Sequence, residues 1–134
     1  MLNNQKLEQS LIGAAVLNEA VLSFLVEKIT TEDFYFVEHQ RIWGKICKSN
    51  SIDKGENSLT IKDFIDHVGG SGYLNILLAS ASGIDGFIKE NLLELKSLAK
   101  KRMIVFSAQE AINACGQGEL TVEDIREEYK FSGS

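Results

Sequence analysis

The stretch that decides the fold runs from Ile84 to Cys115, IDGFIKENLLELKSLAKKRMIVFSAQEAINAC. In its first half the apolar residues Ile84, Ile88, Leu92, Leu95 and Ala99 return at three- and four-residue intervals, which places them on one stripe of a helix. The second half sets Met103, Ile104, Val105 and Phe106 in direct succession, so apolar groups point to several sides. The spacing predicts one helix over about 84–115, against an average of roughly 11–12 residues for globular chains. At 1.5 Å per residue it is about 45 Å long. A small head cannot cover such a rod, and a neighbouring polypeptide is expected to shield what is left.

After this helix, Gly116 to Gly118 make a turn, and Thr121 with Asp124 caps a final helix over about 121–130. Its acidic residues, Glu119, Glu123, Asp124, Glu127 and Glu128, suit an antiparallel partner to the long helix. Ahead of it, helices are expected over about 4–17 and 19–29, with Asn18 as the N-cap of the second. Thr30 with Asp33 reads as a capping-box variant that opens a short turn before a third helix over roughly 37–49, carrying Ile42, Trp43, Ile46 and Cys47 inward. Phe34, Tyr35, Phe36 and Trp43 should meet at that junction. A polar loop with Gly55 follows over 50–58, and Thr60 with Asp63 caps a short helix bearing Ile61, Phe64, Ile65 and Val68. Gly69 and Gly70 end it, and a further short helix covers 73–79.

No β-branched cluster extends beyond two or three residues, so the fold class is all-α. The expected organisation is a globular multi-helix head over 1–83 and a long antiparallel helical hairpin over 84–134, in one structural domain.

The 134 residues leave no room for a nucleotide-hydrolysing motor of roughly 200 residues. With 44% hydrophobic and 25% charged residues the composition is that of a soluble globular protein, and a net charge of −5 gives no general affinity for phosphate backbones. Cys47 and Cys115 have no paired spacing and read as reduced, buried thiols, which implies a cytoplasmic home. No apolar run approaches the roughly 20 residues of a bilayer span, and the first residues lack a signal-peptide pattern.

The residues that could carry chemistry are scattered. There is no G-x-x-x-x-G-K-[ST] to cradle a triphosphate; the glycine-rich stretch from Val68 to Tyr73 lacks the lysine and reads as a helix stop with a tight turn. His39 and His67 stand alone, without a second ligand at helical spacing, and read as capping or partly buried imidazoles. Glu32 and Asp33 sit at a helix start, where they meet the positive end of the macrodipole. Lys96, Lys100, Lys101 and Arg102 form the basic cluster, a solvated face balancing the acidic tail. No catalytic residue, metal ligand or cofactor is therefore expected in this chain.

The order of the short motifs is more informative. Glu8 to Gly13 (EQSLIG) resembles the E-Q-[SA]-[VL]-[LI]-G opening of the N-terminal domain of DnaB-type replicative DNA helicases. Asp33 Phe34 Tyr35, His39 and Ile42 Trp43 are similar to that family's D-F-Y, H and I-F series; Thr60 Ile61 resembles its T-[LV] helix start, and Val68 Gly69 Gly70 with Tyr73 Leu74 its [VI]-G-G-x-x-Y-L signature. The resemblance runs from about Lys6 to Ile112, and Thr121 to Ile125 resembles the second helix of the hairpin. The chain departs in having no proline, where the family has several, and in carrying Glu90 near an expected tyrosine.

The resemblance implies a non-catalytic collar in which hairpins pair between subunits, as a dimer and then a trimer of dimers. It implies docking of primase, and of a helicase loader in some systems. ATP, Mg and DNA would be handled by a motor domain outside this chain. Tyr73 and Ile104 occupy positions that resemble primase-facing ones, and Tyr73, Lys100, Met103, Ile104 and Ile112 are the expected partner-binding or dimer-interface residues. A second reading is a free-standing regulator, of the kind a phage or plasmid encodes, that mimics the collar and binds primase or helicase. A reading frame continuing into a motor domain would eliminate it.

Overall fold

The computed structural model describes residues 2–52, 58–81 and 85–116. Among them are six α-helices: α1 (Gln5–Leu17), α2 (Glu19–Val26), α3 (Val37–Ile52), α4 (Ser58–Gly69), α5 (Tyr73–Ser80) and α6 (Asp85–Gly116), with a 3-10 turn at Thr31–Asp33 and no strand. The chain divides into two compact units, Asn3–Ala99 and Lys100–Ser134, the second joined by Leu2. The final helix expected over 121–130 lies outside the described residues.

Asparagines set the helix boundaries at the start of the chain. Asn4 caps α1 by accepting from the Leu7 amide at 3.0 Å. Asn18 ends α1, donating its own amide to the Ala14 carbonyl, and at once opens α2 by accepting from Ala20 and Val21 at 2.9 and 3.2 Å. One residue thus turns the chain between two helices. The second helix stops at Val26, three residues short of expectation. Ile29 is buried, which imitates a continuing stripe, but it reaches the core from a turn whose Lys28 and Ile29 amides close on the Leu25 carbonyl. The capping box at Thr30 and Asp33 is present. The third helix continues through Asn50 and Ser51 to Ile52, a polar end that the sequence presents as loop.

In the first unit α1 runs through the centre. Leu11 and Ile12 are fully enclosed, together with Leu25, Ile42, Trp43, Ile65 and Leu77, and the core continues through Ile88, Leu92, Leu95 and Leu98 of α6. Each such side chain contributes about 1.5–3 kcal/mol through burial. The helices α1 and α5 meet closely at Gly13, where an added Cβ would lie 2.0 Å from the Leu77 carbonyl oxygen. Because the obstacle is backbone, no rotamer change relieves it. Gly13→Ala is expected to cost about 1–3 kcal/mol, measurable by chemical denaturation; an unchanged midpoint would show that α1 and α5 can separate freely.

The turn into α5 needs glycine for a second reason. Gly70 and Gly72 hold φ of 101° and 84°, a region that residues with a Cβ avoid. Gly69 lets the Tyr73 ring lie against the helix end: a Cβ there would sit 2.1 Å from a ring carbon. The amide of Leu74 is satisfied by Asp66 Oδ1 at 2.8 Å. The glycine-rich segment is therefore a device for seating Tyr73.

Candidate functional site

Two features of the fold are candidates for function: a buried polar cluster in the first unit and an apolar surface on the second.

The cluster is assembled by α1, α3, α5 and the turn before α3. Glu8 and His39 are 1% and 0% exposed, and Tyr73 is 8% exposed. The Glu8 carboxylate accepts from the Tyr35 amide at 2.8 Å and the Phe36 amide at 3.4 Å, and lies 2.7 Å from His39 Nδ1. The other ring nitrogen, Nε2, meets the Tyr73 hydroxyl, to which the Gln9 side-chain amide donates at 3.3 Å.

The Glu8 carboxylate accepts from two amides, so Nδ1 faces it as a donor. The Tyr73 oxygen accepts from Gln9, and its hydroxyl pairs with Nε2 as donor or acceptor according to the imidazole tautomer. The chain Gln9 to Tyr73 to His39 to Glu8 is then satisfied at every link. Burial pushes the Tyr73 phenol up from its usual pKa; the Gln9 hydrogen bond opposes this, and the negative charges of Glu38 and Glu8 add to it. The phenol therefore stays protonated.

An ordered acid, imidazole and hydroxyl resemble a relay for nucleophilic chemistry. Glu8 and His39 are enclosed, at 1% and 0% exposure, among the described residues. The cleft lined by Asn18, Ala20, Val21, Phe24, Ile88 and Lys89, about 190 Å³, and another lined by Ala15, Val16, Leu22, Ile46, Ile61 and Lys62, about 120 Å³, include none of these residues. Among the described residues no group of three or more His, Cys, Asp or Glu is placed to hold a metal. The cluster locks three helices and a turn into one arrangement.

His39 was expected as a capping or partly buried imidazole; it is instead a central, fully enclosed residue. His67 is exposed, and Cys47 and Cys115 are free thiols that are only partly buried, with burial raising the pKa of Cys47. The aromatic junction is divided. Phe34 and Trp43 pack at 5.7 Å in the core, where the indole N–H donates to the Ile29 carbonyl at 3.0 Å, while Tyr35 is 49% exposed. Asp33 has a second task besides capping, holding Lys96 at 2.7 Å, so one member of the basic cluster is tied down.

The expected interface residues fall in two places. Tyr73 belongs to the first unit and is buried; Lys100, Met103, Ile104 and Ile112 belong to the second, on α6. Met103 is 71% and Ile112 55% exposed, Lys100 is exposed and Ile104 is partly buried. Phe106 at 65% and Val105 at 53% are also exposed, as the consecutive apolar run at 103–106 signals. At 100° per residue Met103 and Phe106 share one flank of the helix, while Val105 and Ile112 share another.

A family model described as the DnaB-like helicase N terminal domain matches residues 1–89. The replicative DNA helicase DnaB of Treponema pallidum (strain Nichols) is 25% identical over 137 residues, covering 94% of this chain and 31% of the relative. That of Rickettsia prowazekii (strain Madrid E) is 29% identical over 128 residues, covering 90% and 26%. The chain thus spans about a quarter to a third of the length of these relatives. The crystal structure of the N-terminal domain of DnaB helicase from Mycobacterium tuberculosis matches with a TM-score of 0.78 at 19% identity, covering 96% of this chain and 97% of that one, which establishes likeness of fold. On the family match, which takes in the motifs that build the buried cluster, this chain belongs to the DnaB-like helicase N terminal domain family.

Proposed function

We propose that the chain is the non-catalytic collar domain of a hexameric replicative DNA helicase. It pairs subunits into dimers, and dimers into a ring, and it offers a docking surface to primase or a helicase loader. ATP, Mg and DNA are engaged by a motor domain elsewhere in the assembly, which works in the cytoplasm. Family membership supports the setting. The observation that carries the pairing role is the bare apolar surface of α6 at Met103, Val105, Phe106 and Ile112, since soluble monomers rarely leave such groups clustered without a partner.

Sedimentation of the purified chain over a range of concentrations tests this reading, with a dimer expected to accumulate as concentration rises. Ile104→Asp should weaken that dimer by about tenfold while helix content by circular dichroism stays constant, because the charge enters at the margin of the paired surface. A chain that remains monomeric throughout, or that hydrolyses ATP in a DNA-stimulated manner, contradicts the collar role.

A further inference from the structure

Between α1, α2, α3 and α4 of the first unit lies a cavity of about 120 Å³, lined by Ala15, Val16, Leu22, Ile46, Ile61 and Lys62. Ala15 and Ile46, each 2% exposed, form its floor, while Val16, Leu22, Ile61 and Lys62 are partly buried and form the walls towards solvent. Five of these six side chains are aliphatic, a lining that hydrocarbon satisfies better than water.

Lys62 is the exception. Its ammonium has three donors and no acceptor, and among the described residues no carboxylate pairs with it. Asp66, one helical turn further along α4, gives its Oδ1 to the Leu74 amide at 2.8 Å instead. A lysine on an apolar surface ordinarily lays its stem along that surface and keeps its charge in water. Here the stem is part of a cavity wall, so the cation is held beside the aliphatic lining. The charge specifies the head of a ligand and the lining specifies its tail. A cavity of about 150 Å³ with apolar walls admits a benzene, so one of this volume takes a chain of about five carbons.

We infer that the cavity is a binding site for a short unbranched aliphatic carboxylate, its tail enclosed by Val16, Leu22, Ile46 and Ile61 and its head on Lys62. The site shares no residue with the apolar surface of α6, so its test is separate from that of the collar role.

The test is a nuclear magnetic resonance titration of the full chain with butanoate, pentanoate, hexanoate and octanoate, read at the backbone amides of Ile46, Ile61 and Lys62. Each methylene that enters the cavity should tighten binding about fourfold. The gain should continue to hexanoate and stop by octanoate, whose extra carbons remain in water. Hexanol and hexylamine carry the same tail without the negative charge and should bind at least about tenfold more weakly than hexanoate. Lys62→Gln should weaken hexanoate by about tenfold and leave hexanol unchanged, with circular dichroism as the check on folding. Val16→Phe, which fills the cavity, should abolish binding of both; if that variant fails to fold, the chain-length series and Lys62→Gln still decide. The proposal is overturned if no carboxylate shifts these amides, if the shifts fall instead at Val21 and Phe24 in the other cleft, or if affinity does not depend on tail length. Equal binding of hexanol and hexanoate, or of hexanoate to the native chain and to Lys62→Gln, overturns it as well, because the head would then play no part.

Discussion

Glu8→Ala is expected to destabilise the fold by about 3–5 kcal/mol, the largest loss of any single side chain in the polar cluster. The reason is the number of groups that depend on it. Removing the carboxylate strands the Tyr35 amide, the Phe36 amide and His39 Nδ1–H together. The two amides are part-buried and His39 is fully enclosed; a buried donor left without an acceptor costs about 1–3 kcal/mol, and water has no easy route to a site that is 1% exposed at Glu8 and 0% at His39. Thermal unfolding followed by circular dichroism should show a drop of roughly 10–20 °C. Tyr73→Phe is the graded comparison. It removes the hydroxyl from Nε2 but leaves the ring against Gly69, and should cost only about 1–2 kcal/mol. If Glu8→Ala lost no more than Tyr73→Phe, the carboxylate would not be the hub of the cluster.

How much of this was legible follows the same distinction between local and distant partners. The long helix shows in the sequence because its signal is repetition. Ile88, Leu92 and Leu95 keep one stripe, and the stripe breaks where Met103 to Phe106 come in succession. The reading of 84–115 differs from α6 by one residue at each end. Caps were equally plain: Asn18 and the Thr30 and Asp33 pair act on neighbours within three residues, so the chain carries the whole interaction in one short segment. The end of α2 was not, because Ile29 preserves helical spacing although its carbonyl serves Trp43. Burial depends on the tertiary setting, and a buried residue beyond a helix looks the same in sequence as one inside it.

The polar cluster was invisible for the complementary reason. Its bonds join residues 31, 34 and 64 positions apart, and no periodicity links Glu8, His39 and Tyr73. Their individual motifs were recognised as family resemblance, yet nothing in the sequence said that three of them meet at one point. The glycines were the nearest signal. A turn needing two left-handed residues immediately before a tyrosine suggests that the tyrosine is being aimed.

The exposed surface of α6 leads to the second large effect. Met103→Asp with Phe106→Asp should weaken self-association by at least about a hundredfold, with helix content unchanged. Both residues are now largely in water, 71% and 65% exposed, so the folded monomer loses little when they become polar. In a two-fold pair each substitution is counted twice, and four large apolar side chains are withdrawn from the contact. At about 1.5–3 kcal/mol for each fully enclosed side chain, even partial enclosure exceeds the 2.7 kcal/mol or so that a hundredfold change requires. Four carboxylates placed near one another oppose association further. Val105→Asp on the other flank discriminates between surfaces, because the two flanks lie about 140° apart on the helix and a single partner helix cannot enclose both equally. A dimer lost with the Met103 and Phe106 exchange but retained with Val105→Asp places the seam on the first flank. The reverse result places it on the flank that carries Ile112 and removes the physical basis for pairing through Phe106.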